Sequence, residues 1–167
     1  MNPIQCLSLT DLKTDAGKSL AKLNLYYQHF GQALDKAPVV LINHSLTGDS
    51  DVAGQKGWWK ELVGPNKTID TNRYAVLAFN IPGNGVKGQI FSNAKDFHTG
   101  DIALFFLKGL ELLGVSELHA LVGGSIGGGI AWEMAVIQPQ LAKYIIPVAA
   151  DWKANDWILA NTFLQQR

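Results

Sequence analysis

The chain has 167 residues, 47% hydrophobic and 17% charged, with 14 Lys and Arg against 14 Asp and Glu. That is enough chain for one globular domain with a solid core. Its net charge of +0, with basic residues spread along the chain, excludes a nucleic-acid footprint and a polybasic membrane patch. A single cysteine, Cys6, excludes an intrachain disulfide framework and a thiolate metal cluster, and is expected as a buried or half-buried thiol. The start, Met1-Asn2-Pro3-Ile4-Gln5, has no basic stretch followed by an apolar core, and no apolar run reaches the length of a membrane span. The expectation is a cytoplasmic protein with no membrane partner.

Residues 4–9 read as a short strand, and Thr14-Asp15-Ala16-Gly17-Lys18 as a turn. Leu23, Leu25 and Tyr27 alternate with Asn24, Tyr26 and Gln28, the period of a half-buried strand. These two strands are expected to pair antiparallel at a sheet edge. Val39-Val40-Leu41-Ile42 is continuous and largely β-branched, a strand buried on both faces, and it ends in Asn43-His44-Ser45-Leu46-Thr47-Gly48-Asp49. A short helix is expected over 58–63, broken by Gly64-Pro65-Asn66. A second buried strand over 74–79 runs into the turn-rich Asn80-Ile81-Pro82-Gly83-Asn84-Gly85.

Residues 86–98 are polar and irregular. Thr99 is read as the N-cap of the next helix, with Asp101 in its first turn. Ile102, Phe105, Phe106, Leu110 and Leu113 follow helical spacing, Lys108 and Glu111 lie on the other face, and Gly114 ends the helix. A strand over 118–122, a glycine-rich turn and a helix to Gln138, stopped by Pro139, come next. Residues 144–150 read as a further buried strand, and 152–166 have helical character. Apolar strands alternating with helices imply an α/β fold: a mostly parallel sheet with helices on both faces and ligands beyond the C-terminal strand ends. Residues 1–150 are expected to form its core and 151–167 to begin a helical cap or connecting segment.

The informative loops lie at those strand ends, and the sharpest is Val122-Gly123-Gly124-Ser125-Ile126-Gly127-Gly128-Gly129. Gly123-x-Ser125-x-Gly127 has the spacing of a nucleophile elbow. A strand turning abruptly into a helix strains its corner residue, and side chains two before and two after the corner collide unless they are absent. The serine oxygen then stands at a helix N-terminus, where free N–H groups favour developing negative charge. The same residues also fit Gly123-x-x-x-Gly127-x-Gly129, a dinucleotide-binding spacing, with Asp151 placed for a ribose.

A serine nucleophile needs a base, an orienting acid and an oxyanion hole. The backbone N–H groups of Ile126 and Leu46 are the expected oxyanion donors, the second supplied by the loop after the third strand. His44, Thr47 and Asn80 are candidates for the substrate pocket, although polar loop residues of this kind also serve the turn itself. The base is missing: acid and histidine follow the serine in this type of fold, whereas His29, His44, His98 and His119 all precede Ser125. His98 reads as a capping or surface residue and His119 as a core or edge residue. Asp151 has no later histidine to orient.

Three blocks resemble the homoserine O-acetyltransferase family of the α/β-hydrolase superfamily, N-terminal part only. They are His44-Ser45-Leu46-Thr47-Gly48-Asp49; Gly57-Trp58-Trp59 with Gly64-Pro65-Asn66-Lys67 and Ile69-Asp70-Thr71-Asn72-Arg73-Tyr74; and residues 118–135 around the elbow. They run in the family's order from about residue 38 to 151, and this context displaces the dinucleotide reading. The resemblance implies an α/β-hydrolase fold truncated before its last strands. It implies Ser125 acetylated by acetyl-CoA as co-substrate, then transfer to the hydroxyl of L-homoserine in methionine biosynthesis, with no bound cofactor or metal. The full-length family enzyme is a candidate homodimer, and the triad acid and histidine would lie past residue 167. One loop departs from the family pattern. Where the family carries a glycine-glycine-cysteine and glycine-serine-threonine-glycine-proline loop, this chain reads Asn80-Ile81-Pro82-Gly83-Asn84-Gly85-Val86-Lys87-Gly88. A carboxylic-ester hydrolase on the same scaffold and a non-catalytic remnant are the alternatives.

Overall fold

Two five-residue runs, β3 (Val39–Asn43) and β6 (Ala75–Phe79), are buried at every position in the computed structural model. Continuous apolar runs of this kind belong in strands covered on both faces. Around them lie β1 (Gln5–Lys13), β2 (Ser19–Gly31), the two-residue strands β4 (Val63–Gly64) and β5 (Ile69–Asp70), α1 (Thr99–Leu112), β7 (Leu118–Gly124), α2 (Ile126–Ile137), β8 (Ala142–Val148) and α3 (Asp156–Gln165). The structure describes residues 2–91 and 97–165. Part of the irregular stretch expected over 86–98, and the last residue of the helix expected to 166, lie outside them.

The main sheet has the order β1-β2-β6-β3-β7-β8. β1 pairs antiparallel with β2, and β2 antiparallel with β6, while β6, β3, β7 and β8 run parallel. The expected edge hairpin and parallel core are therefore both present. On one face α1 and α2 pack together over Leu41, Leu77, Phe79 and Leu121, with Phe105, Phe106, Ile130 and Met134 filling the space between. On the other, Val40, Ile42, Val76, Ala78, Ala120 and Val122 are covered by Val52, Val63, Trp58, Trp59, Ile69 and Tyr74.

That second face corrects two expectations. Residues 58–62 form successive turns rather than a helix, with Lys60 N–H donating to Gly57 O (3.2 Å) and Leu62 N–H to Trp59 O (2.8 Å). A window this short cannot repay helix nucleation, and both tryptophans are drawn onto the sheet instead. Among the described residues, then, the helices that pack on the sheet share one face, and turns with the short β4–β5 pair cover the other.

Four smaller differences have local causes. The N-cap of α1 is His98, not Thr99: its ring accepts from Gly100 N–H (3.0 Å) while Asp101 accepts from His98 N–H (3.1 Å), a reciprocal capping box. Gln28, expected on the polar face of its strand, is buried because the loop after β3 lies over it. Cys6 is exposed, since β1 is an edge strand whose outward positions face solvent. β8 is not a buried strand: Tyr144, Ile146 and Val148 are 43–49% exposed, because α2 covers only its other face. A hollow of about 400 Å³ lies beside them, walled by Trp59, Leu62, Ile69 and Tyr74. α3 has no buried residue, and among the described residues no helix is long and apolar enough to cross a membrane.

Candidate active site at the β7–α2 corner

Ser125 stands between the last residue of β7 and the first of α2, with φ 53° and ψ −121°. For a residue with a β-carbon this is a strained conformation. It is held on both sides: Ser125 N–H donates to Val148 O (2.9 Å), and Ser125 O accepts from Gly128 N–H (2.9 Å) and Gly129 N–H (3.2 Å). The side chain is exposed.

The two spaced glycines are there for room. A β-carbon on Gly123 would stand 2.1 Å from Gly127 O, and one on Gly127 would stand 2.3 Å from Asn43 O and 2.6 Å from His44 O. The start of α2 is therefore pressed onto the end of β3, where Asn43 is paired in register with Gly123. Ile126 is the first helical residue, and amides of a first turn have no carbonyl partner within the helix.

The loop after β3 sits against this corner. Gly48 N–H donates to Ser45 O (3.0 Å), closing a tight turn with Leu46 and Thr47 at its tip, both exposed. Both stand where a ligand could reach them. Two other expected pocket residues do not. His44 is fully buried, with Nδ1 2.7 Å from Ser45 O and Nε2 2.9 Å from Ile81 N. Burial holds its pKa below the ordinary value, against the opposing pull of the Ser45 hydrogen bond and the Asp49 carboxylate. Asn80 is 2% exposed and spends its amide inside the protein. Its Oδ1 accepts from Ser50 N–H (2.9 Å) and Asn84 Nδ2 (3.2 Å), and its Nδ2 donates to Ser50 Oγ (2.8 Å). Ser50 Oγ in turn donates to Gln28 Oε1 (2.7 Å). Polar residues at the mouth of a strand are read as pocket residues from sequence, but here the two loops close over them and engage their side chains, within each loop and across to the other.

The remaining histidines are committed elsewhere. His29 Nε2 lies 2.6 Å from Gln32 O. His98 caps α1 and reaches Asp15 (3.2 Å). His119 is sandwiched between Tyr74 and Tyr144, at 5.0 and 5.4 Å between ring centroids. Asp151 is exposed and accepts from Trp152 N–H (2.8 Å). Among the described residues, no three His, Cys, Asp or Glu side chains gather as metal ligands. Sequence reasoning missed Asn43, buried at the end of β3 with Nδ2 3.4 Å from Gly127 O, and the Gln28–Ser50 pair. A polar residue closing an all-apolar strand was the available signal for the first.

Residues 38–166 match the family model described as alpha/beta hydrolase fold. The homoserine O-acetyltransferase of Methanocorpusculum labreanum is 37% identical over 83% of this chain and 32% of its own length. The crystal structure of homoserine O-acetyltransferase from Staphylococcus aureus superposes with a TM-score of 0.84 at 27% identity, over 99% of this chain and 52% of that one. The crystal structure of esterase E22 does so with a TM-score of 0.83 at 25% identity, over 96% and 50%. The chain thus spans about half the length of these solved relatives.

Proposed function

Because the chain belongs to the alpha/beta hydrolase fold family, we propose that it carries the nucleophile half of an acyl-transfer site, with Ser125 as the residue acylated. One observation carries this reading: an exposed serine held at φ 53° where a strand turns into a helix, beside the turn at residues 45–48. The preferred reaction is transfer of acetyl from acetyl-CoA to the hydroxyl of L-homoserine, a step of cytoplasmic methionine biosynthesis; the relatives' name, homoserine O-acetyltransferase, supports the acetyl group and the acceptor.

Ser125 Oγ bonds to the thioester carbonyl carbon and gives up its proton to a base. The C–S bond breaks and CoA leaves as the thiol. The homoserine hydroxyl then attacks the acyl carbon, loses its proton, and Ser125 regains one as it leaves. Leu46 N–H and Ile126 N–H hold the oxyanion in both halves, each contributing about 3–4 kcal/mol to lowering the barrier. Gly123 and Gly127 make the corner sterically feasible. Thr47, exposed at the tip of the same turn, is the pocket residue this reading keeps, while His44 and Asn80 are buried behind the turn. Among the described residues no histidine is placed as the base: His44 is buried against backbone, and His29, His98 and His119 are engaged elsewhere.

Alone, the 167-residue chain is therefore expected to turn over little or not at all, since loss of the base in a triad costs on the order of 10⁶ in rate. The test is slow acetylation of Ser125 by acetyl-CoA or p-nitrophenyl acetate, located by peptide mass. An acetyl label equal in Ser125→Ala would sink the assignment, and rapid turnover would sink the claim of inactivity. A second reading, ester hydrolysis, draws on the equal likeness to an esterase. The acetyl-serine decides between them: discharge that requires homoserine supports the transferase, and discharge by water alone the hydrolase.

A further inference from the structure

We infer that His44 is a positioning residue: as the neutral Nδ1–H tautomer it fixes the peptide plane whose N–H belongs to Leu46, and ties it to the loop after β6. What that N–H does rests on the acyl-transfer reading above; the tie itself rests on geometry.

Two backbone groups leave the ring one protonation state. Ile81 N–H can only donate, so Nε2 at 2.9 Å must present a lone pair. Ser45 C=O can only accept, so Nδ1 at 2.7 Å must carry the proton. The ring is fully buried, so neither contact is exchanged for water. Ser45 O accepts a second bond, from Gly48 N–H at 3.0 Å, which closes the turn. The Ser45 carbonyl and the Leu46 N–H share one planar trans peptide and point in opposite directions. Holding that oxygen from two sides therefore aims the Leu46 N–H away from His44.

The Ile81 contact supplies the anchor. It joins the β3 loop to the loop after β6, which a second clasp, Ser50 to Asn80, also reaches. A proton on Nε2 would set two donors face to face and place a charge in a buried site, breaking this anchor. The ionisable group acting on the ring is Asp49, on its own loop. Residues 80–85 and the first turn of α2 carry none.

The experiment is nitrogen-15 NMR on the whole chain from about pH 8 to about pH 5, a range that brackets ordinary histidine titration. Expected are a pyrrole-like Nδ1 and a pyridine-like Nε2 at the high end, a midpoint below 6.5, and a Leu46 N–H residual dipolar coupling that changes with that same midpoint. His44→Asn keeps a non-titrating donor for Ser45 O but not the Ile81 contact, and should show a coupling close to the parent's low-pH value with no pH dependence. His44→Phe should lose the coupling and slow Ser125 acetylation by p-nitrophenyl acetate by more than about 10-fold, with His44→Asn, which keeps one of the two contacts, recovering part of it. A protonated Nε2 at the high end, or an unchanged Leu46 coupling in His44→Phe or in acid, overturns the proposal. Should the ring and coupling behave as expected while Ser125 never acetylates, the acyl-transfer reading fails and the tie stands. Acetylation of Ser125 at an undiminished rate in His44→Phe has the opposite meaning: the acyl-transfer reading stands, and His44 loses its positioning role.

Discussion

Gly127, in the first turn of α2, lies so close to Asn43 at the end of β3 that a β-carbon would stand 2.3 Å from the Asn43 carbonyl oxygen. The obstacle is backbone on both sides, so no side-chain rotation relieves it. Gly127→Ala should push α2 off the sheet and destabilise the chain by about 1–3 kcal/mol, as overpacking does. Urea denaturation measures this. Stability equal to the parent would mean that the corner has slack the distances deny.

Strain at Ser125 is separable from its chemistry. Its φ of 53° costs a residue with a β-carbon about 1–3 kcal/mol, while glycine adopts such angles freely at a chain-entropy cost of about 0.5–1 kcal/mol. Ser125→Gly should therefore be more stable than Ser125→Ala, by about 1 kcal/mol. Neither can form an acyl-serine. Thermal melts of the pair at one pH check the order. If the alanine variant is the more stable, the corner is not strained.

The parts legible in the sequence were those governed by local rules. Continuous apolar runs gave β3 and β6, helical spacing gave the buried face of α1, and the glycine-x-serine-x-glycine spacing marked the corner at Ser125. What escaped was set by contacts distant in the chain. His44 and Asn80 look like pocket residues until loops 43–51 and 80–84 are seen clasping each other. Trp58 and Trp59 look helical until the bare sheet face beneath them is known. β8 carries the composition of a buried strand, and its burial depends on cover that no local pattern reports.

His44 should give stability a pH dependence of definite sign. Burial, the largest influence, holds its folded pKa below the unfolded 6.5. The unfolded chain therefore binds its proton first as pH falls, and unfolding is favoured. The contribution is complete above 6.5, declines as pH drops below it, and stops declining beneath the folded pKa. Comparing urea midpoints of the parent and His44→Asn across this window isolates the effect. The parent should lose stability relative to the variant as pH falls. A parallel pair of curves would show that the buried ring does not titrate as described.

The outer side of β8 should govern solution behaviour. Tyr144, Ile146 and Val148 present 43–49% of their surface beside the 400 Å³ hollow, Trp157 and Phe163 of α3 are also exposed, and β8 pairs only with β7 among the described strands. An apolar strand with an open edge is a template for pairing with another chain. The chain is expected to associate with rising concentration. Ile146→Lys, which puts a charge on that face, should raise the concentration at which it stays monodisperse while leaving its circular dichroism unchanged. Sedimentation velocity over a concentration series reads this directly. Association unaltered by Ile146→Lys would place the sticky surface elsewhere, with α3 the next face to charge.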